Sequence, residues 1–233
     1  MKKYFLILIM MFSVVSAQQT DPNEIIKKVK EKIDAVVDYE VEAVIKIDVN
    51  FLRVPETHAT IFFKKPDKIK MESTGFALMP KQGLNFSPAT LLQHDYTAIL
   101  AKEDQINGND VYLIKILPLS DSTEVILSNL WVDKNKFIVY KIETTTKNSG
   151  TVGIDLSYAD NIDYGLPSKI VISFRVEQMN LPPGMDGEFE KNDENKKRGP
   201  MTGTVTVTYK NYKINQGLKD EFFDEADEVE SPK

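Results

Sequence analysis

The sequence of 233 residues contains no cysteine and only two histidines, His58 and His94. Without cysteine the chain can form no disulfide, carry out no thiol chemistry and take no lipid on an N-terminal cysteine. Neither histidine has a second ligand at metal-site spacing, and the common catalytic and phosphate-binding motifs are missing. We therefore expect a protein that is not an enzyme and that holds neither a metal nor another cofactor.

Basic residues are in the minority as well. Lysine and arginine together number 29 against 35 aspartates and glutamates, which gives a net charge of −6. A nucleic-acid partner would require a basic face that neutralises its phosphates. Scattered lysines in an acidic chain predict no such face, so nucleic acid is not an expected partner.

A long apolar run occurs only at the N-terminus. Residues 1–17 open with Met1-Lys2-Lys3, continue through an apolar stretch and end on Val15-Ser16-Ala17. This arrangement is typical of a secretory signal peptide, and the stretch is too short for a comfortable membrane span. We predict an exported, soluble, unanchored chain that starts at Gln18. The loss of two lysines and no acidic residue changes its net charge from −6 to −8.

Strands dominate the remaining sequence. Between residues 109 and 178, runs rich in β-branched and aromatic residues alternate with turn residues, which is typical of an antiparallel meander. The predicted strands are 39–51, 57–64, 68–73, 96–103, 111–117, 124–132, 137–145, 151–158, 168–176 and 202–213. Asn107-Gly108 predicts a tight hairpin turn. Alternating apolar and polar positions predict one buried face and one wet face.

The first strands supply the predicted binding surface. The 39–51 strand is about twice the usual length, which indicates a long, curved strand in a barrel-like sheet. Glu40, Glu42, Lys46 and Asp48 are expected to stay wet. The side chains expected to line a cavity or a core on the other face are Val41, Ala43, Ile45, Ile47, Val49, Ala59, Ile61, Phe63, Ile69 and Met71.

A capped helix precedes these strands. Asp21-Pro22-Asn23-Glu24 combines an N-cap, a proline at the first helical position and an acidic residue three positions after the cap. The apolar positions that follow lie on one face and predict an amphipathic helix of about four turns. These positions are Ile25, Ile26, Val29, Ile33, Val36 and Val37. We expect the helix to dock on the sheet; a membrane surface is the alternative.

The segment from 75 to 93 has no strand period, although it is strongly apolar. Glycine and proline interrupt it before a short helix that Ser87-Pro88 caps. Apolar loops of this length tend to be functional, and this one is predicted to fold over the sheet as a movable lid, with a fixed core plug as the alternative. Its apolar side chains are Phe76, Leu78, Met79, Leu84, Phe86, Leu91 and Leu92.

Two further segments are polar. Residues 182–200 are charged and framed by glycine and proline, so they are predicted to be a disordered loop, with a partner-docking loop as the alternative. Residues 224–233 form an acidic tail that is expected to fray. A single domain from 18 to 223 accounts for the rest of the mature chain.

Three stretches of sequence carry a resemblance to a known family. FFKKPDKIKME at 62–72 reads as two strands in which a basic pair and a proline precede a second, basic strand. NGNDVYLI at 107–114, followed by LWVD at 130–133, reads as central strands, and NYKINQGLKDEFF at 211–223 reads as an ending. Together they resemble the outer-membrane lipoprotein carrier family, the LolA/LolB-like proteins, over most of the mature chain.

The resemblance implies an α+β fold of mainly β structure. In this fold a strongly curved antiparallel sheet, an incomplete β-barrel, carries the N-terminal amphipathic helix and the helix-bearing lid on its concave face. The family's cavity carries acyl chains of lipoproteins across the periplasm. This implies a periplasmic monomeric transport chaperone whose ligands are lipid acyl chains or lipidated proteins, with membrane-bound donor and acceptor proteins as partners.

The resemblance also implies a role for Lys65. The family commonly has an arginine before the proline that latches the lid; here Lys65 takes that place and is predicted to donate to backbone carbonyls of residues 75–93. The alternative function is a periplasmic sensor or interaction domain on the same fold, or a filled β-domain with no cavity. Lipid that purifies with the protein would favour the carrier.

Overall fold

The computed structural model describes residues 20–49, 52–53, 55–73, 88–92, 95–120, 123–147, 150–176 and 201–224. The predicted signal peptide, the 182–200 loop and almost all of the acidic tail lie outside these residues. The described helices are α1 (Pro22–Asp34), α2 (Pro88–Leu91) and α3 (Glu221–Asp224), with a 3₁₀ turn at Ile162–Tyr164. The described strands are β1 (Asp38–Val49), β2 (Leu52–Arg53), β3 (Thr57–Lys64), β4 (Lys68–Ser73), β5 (Tyr96–Ile106), β6 (Asn109–Pro118), β7 (Val125–Asp133), β8 (Val139–Thr146), β9 (Gly150–Ser157), β10 (Lys169–Val176) and β11 (Met201–Ile214).

Helix α1 begins at the position that the sequence predicts. The Asp21 carboxylate accepts a hydrogen bond from the Asn23 N–H at 2.8 Å. Pro22 occupies the first helical position, where a backbone N–H would have no partner inside the helix. The predicted capped start is therefore confirmed.

The apolar side of α1 packs on the sheet, as expected. Its buried residues are Ile25, Ile26 and Val29. The helix ends at Asp34, so the residues that follow no longer share its apolar face. Val36 stays buried, but Val37 is 50% exposed, and its predicted place on the buried face is wrong.

The strands form one antiparallel sheet that curves without closing. Its order is β4-β3-β1-β11-β10-β9-β8-β7-β6-β5, and the short β2 pairs with the end of β1. Strands β4 and β5 are the two edges, although they follow each other along the chain. The connection between them, which contains α2, therefore joins one edge of the sheet to the other. The predicted incomplete barrel is confirmed.

One apolar face runs across the sheet. Residues that stand directly opposite each other in neighbouring strands share a face. Such a line of partners, from β1 to β5, consists of Ile47, Val205, Ile172, Ile154, Ile142, Leu130, Ile114 and Leu100. We call this side of the sheet the inner face. The turn at Asn107-Gly108 has positive φ at both residues, as the predicted tight hairpin requires.

Buried side chains on the inner face form two clusters. The larger one, the helix-covered cluster, joins α1 and Leu92 to β5 through β9 and includes Ile114, Leu130 and Ile142, each fully buried. The second lies on β1, β3 and β11, and we call it the β1 cluster. Its members are Val41, Ala43, Ile45, Ala59, Ile61 and Val207. Complete burial stabilises the fold by about 1.5–3 kcal/mol for each large aliphatic side chain.

A buried carboxylate ties the start of β1 to the end of β11. Asp38 is 2% exposed and accepts hydrogen bonds from the N–H groups of Gln216 at 2.7 Å and Gly217 at 3.0 Å. The Asn215 side-chain oxygen accepts another from the Val37 N–H at 2.7 Å. A carboxylate removed from water needs donors of this kind to offset its desolvation. The junction between α1 and β1 is therefore fixed to the far end of the chain.

The basic β3–β4 pair and the C-terminal ending, two of the stretches that carry the family resemblance, lie in contact. The Phe222 ring packs edge-on against Phe62 at 4.7 Å between centroids. Lys70 Nζ lies 4.1 Å from the centre of the Phe222 ring and donates to its carbonyl at 3.2 Å. Lys64 pairs with Asp220. The C-terminal segment thus covers part of the outer side of this edge.

Candidate functional site

The burial pattern along β1 follows the predicted register. Its buried side chains include Val41, Ala43 and Ile45, each no more than 3% exposed. Glu42, Lys46 and Asp48 are exposed. Glu40 is half-buried and pairs with Lys213 at 2.7 Å. The inward set thus lies where a binding surface is predicted, and its role in lipid binding stays a prediction.

The other residues predicted to point inward lie on the same face, but they differ in how deeply they are buried. Ala59 and Ile61 are buried; Ile47, Val49, Phe63 and Met71 are half-buried. Ile69 stands opposite Phe63 and so lies on the predicted face, but it is 47% exposed. Strand β4 is an edge of the sheet, and no further described strand lies beyond it to cover Ile69. The inward placement of Ile69 thus agrees with the prediction, and its role in lining a cavity stays a prediction.

Two of the seven predicted lid residues fall within the described chain. Leu91 is half-buried, and Leu92, 1% exposed, belongs to the helix-covered cluster. The end of the α2 segment therefore packs on the inner face beside α1. Phe76, Leu78, Met79, Leu84 and Phe86 lie outside the described residues.

The described contacts of Lys65 lie at the end of α1, and its predicted bonds to residues 75–93 stay a prediction, because most of that segment lies outside the described residues. Lys65 Nζ donates to the Asp34 carbonyl at 2.7 Å and pairs with the Asp34 carboxylate at 3.1 Å. Its described partner is thus the last residue of α1, where the free carbonyls of the helix attract a cation. Among the described residues of the 75–93 segment, Leu92 is held by Lys30, whose Nζ donates to the Leu92 carbonyl at 3.0 Å. Nothing in the sequence distinguishes Lys30 from the other lysines on α1.

Hydrogen–deuterium exchange should separate the roles of these two lysines. Lys30→Met should raise exchange in residues 88–92 by about fivefold, because one hydrogen bond of about 1 kcal/mol is lost. Lys65→Met should raise exchange at the end of α1 and leave residues 88–92 unchanged. The assignment would be contradicted if Lys65→Met loosened 88–92 as much as Lys30→Met does.

A row of aromatic side chains lies beside the β1 cluster. Tyr39 stacks on Phe63 with centroids 5.1 Å apart, and Tyr212 meets Tyr39 edge-on at 5.6 Å. Tyr209 lies 5.8 Å from Tyr212. Burial raises the pKa of Tyr39 to about 12, and it raises the pKa of Tyr209 and Tyr212 in the same direction. These phenol groups therefore stay protonated and can donate hydrogen bonds at physiological pH.

A bulge in β11 places Tyr209 and Tyr212 on the same face. Strict alternation would send residues three positions apart to opposite faces. The register between β1 and β11 shifts here, and Asn211 has a φ of 56°. Asparagine tolerates this left-handed conformation better than most residues do. Strict alternation along β11 does not predict Tyr212 at the site; Asn211, an asparagine within an alternating strand, is the signal that could have indicated it.

The outer side of the sheet differs in character. A depression of about 520 Å³ is lined mainly by polar side chains, among them Asp48, Ser173, Arg175, Thr202 and Thr204. A second, of about 390 Å³, is bordered by Glu42, His58, Thr60, Glu72 and Lys210. Among the described residues, no three histidine, aspartate or glutamate side chains come together as metal ligands. None of the described helices has the length and apolar character needed to cross a membrane.

These features define a class of fold: an open, strongly curved antiparallel sheet whose apolar face carries an N-terminal helix and a helix-bearing connection between its edges. The chain is similar to the crystal structure of a LolA superfamily protein from Nitrosomonas europaea, with a TM-score of 0.59 and 15% identity over 88% of this chain and 97% of that one. It is also similar to a DUF1329 family protein from Desulfovibrio piger, with a TM-score of 0.57 and 13% identity over 88% and 98%.

A third similar structure is a putative outer membrane lipoprotein-sorting protein domain from Vibrio parahaemolyticus, with a TM-score of 0.52 and 13% identity over 86% of this chain and 94% of that one. No protein-family model and no curated sequence matches the chain. At these identities the likeness concerns the fold. The protein has a LolA-like fold, as the resemblance in its sequence implies.

Proposed function

We propose that the protein is an exported, periplasmic carrier that holds lipid acyl chains against its inner face and delivers them, alone or attached to a protein, towards the outer membrane. It carries out no covalent chemistry. Membrane-bound proteins that load and unload it are its expected partners. The single observation that carries this proposal is the unbroken line of eight aliphatic side chains that crosses the inner face from β1 to β5.

The way this face is covered supports the proposal. An apolar surface of this extent cannot remain in water. Within the described part of the chain, α1 and the α2 segment pack over β5 through β9. The β1 cluster is packed instead by partly buried side chains of the strands themselves, including the tyrosines of the aromatic row. The apolar surface of the β1 cluster is chemically suited to a chain of methylene groups.

The energy available is sufficient for a carrier. Burial of a methylene group contributes about 0.8 kcal/mol, so one long acyl chain supplies on the order of 10 kcal/mol before the cost of ordering it. No charged group is needed for such binding. Release would then require a partner that competes for the chain or a movement that uncovers it.

A direct titration tests the proposal. The mature protein should bind an environment-sensitive dye such as N-phenylnaphthylamine in a saturable way, and methyl palmitate should displace the dye at micromolar concentration or below. Heat-unfolded protein serves as the control for non-specific partition. A filled β-domain or an interaction domain without a cavity would bind neither the dye nor the ester while giving the circular dichroism of a folded sheet.

A further inference from the structure

Two tyrosine hydroxyl groups, one beside the helix-covered cluster and one beside the β1 cluster, are bound to backbone carbonyls. Tyr158 donates to the Val139 carbonyl at 2.8 Å, and Tyr212 donates to the Pro167 carbonyl at 2.9 Å. Buried phenol groups usually find such a partner, because leaving a hydroxyl unsatisfied away from water costs free energy. These two hydroxyl groups therefore stabilise the fold and are not free to bind a ligand.

Tyr39 and Tyr209 lie in the aromatic row with Tyr212, but their hydroxyl groups differ from that of Tyr212. Neither hydroxyl group has a hydrogen-bond partner among the described residues. Both side chains are half-buried on the inner face and pack against the β1 cluster. A hydroxyl in this position needs an acceptor, which is water when the face is empty and a ligand oxygen when it is occupied.

The lack of a described positive charge near these two hydroxyl groups limits the kind of acceptor that they can bind. The pKa of Tyr39 is raised by burial, and that of Tyr209 is raised by burial and by the nearby Tyr39. A neighbouring ammonium or guanidinium group would lower these pKa values, and no described residue has that effect on them. A carboxylate here would lose its hydration without gaining a counter-ion. A neutral carbonyl accepts the same two hydrogen bonds without that cost.

We propose that Tyr39 and Tyr209 donate hydrogen bonds to the ester carbonyl of an acyl ester whose hydrocarbon chain lies along the β1 cluster. The site then selects esterified chains over free fatty acids and over plain hydrocarbons. This inference rests on the proposed carrier function and names its substrate class. The ester can belong to a glycerolipid or to an acylated protein, since both present the same carbonyl and chain.

Dye displacement with matched ligands tests the selectivity. Methyl palmitate, palmitate and heptadecane, each delivered from cyclodextrin, should differ, with the ester acting at about tenfold lower concentration than the other two, as expected for two neutral hydrogen bonds. The double variant Tyr39→Phe/Tyr209→Phe should lose this advantage while its affinity for heptadecane stays unchanged. Each single variant should lose about half of the advantage on a logarithmic scale.

Tyr212→Phe is the matched control, because it removes a hydroxyl from the same row that already donates to the Pro167 carbonyl. It should lower the melting temperature and leave the preference for the ester intact. Dipalmitoylglycerol and a dipalmitoylated cysteinyl peptide are then compared as displacing ligands. Stronger displacement by either one than by heptadecane supports the site and identifies the source of the ester.

Three results would overturn the inference, and they are distinguishable. Equal displacement by ester and hydrocarbon, unaffected by the double variant, would remove the role of the hydroxyls and leave the carrier function standing. A preference for palmitate would mean that the acceptor is a carboxylate and that the ester assignment is wrong. Failure of every chain to displace the dye would contradict the carrier function itself.

Discussion

Leu92→Ala should lower the free energy of unfolding by about 3 kcal/mol, the loss typical of a fully buried leucine. Leu92 is 1% exposed and belongs to the cluster that joins α1 to the sheet. Truncating it leaves a cavity between the helix and the strands, which the rigid sheet cannot refill completely. Urea denaturation, followed by circular dichroism, measures the loss.

Leu91→Ala is the matched control, because Leu91 precedes Leu92 in the chain and is only half-buried. It should cost about 1 kcal/mol, in proportion to its smaller buried area. Equal losses for the two variants would contradict the placement of Leu92 in the core. A movable lid, as predicted from the sequence, would have to withdraw Leu92 from the core when it opens, and such an opening carries a similar cost in free energy.

Ala59→Trp should weaken the binding of a sixteen-carbon ester by about 200-fold. Ala59 stands opposite Ala43 on one side and Ser73 on the other, so small side chains occupy this part of the inner face. An indole ring there takes the space of about four methylene groups, each of which contributes about 0.8 kcal/mol when buried. Dye displacement by methyl palmitate measures the change in affinity.

Thr60→Trp adds the same ring at the next residue, which points to the opposite side of the sheet, and it should leave the affinity unchanged. Ala59→Leu, with a smaller side chain, should give an intermediate loss and is available if the tryptophan disturbs folding. Unchanged affinity in Ala59→Trp, with the sheet intact, would mean that the acyl chain does not lie over β3.

Much of the fold was predictable because each local signal agreed with the packing. Asp21 and Pro22 set the start of α1, and Asn107-Gly108 set a hairpin. Strands β3 and β4 begin and end where the alternation of side chains predicts. The register of β1 followed from the same alternation, because a slip by one residue would expose every apolar side chain.

The parts of the site that were missed depend on contacts between distant segments. The sequence shows that Lys65 precedes a proline, but only the fold brings it to the end of α1 and brings Lys30 to the carbonyl of Leu92. Tyr212 reaches the inner face through a bulge at Asn211 that interrupts the alternation. The exposure of Ile69 depends on β4 being an edge, which strand patterns do not reveal.

The central claim is that the inner face carries acyl chains, and the most direct measurement is mass spectrometry of an organic extract of the protein. The full chain should be expressed with its predicted signal peptide, purified from the periplasm without detergent and extracted alongside an equal amount of Ala59→Trp. We expect esterified acyl lipid at close to one molecule per protein in the first extract and much less in the second. A folded protein whose extract contains no acyl chain above the variant's background would contradict the central claim.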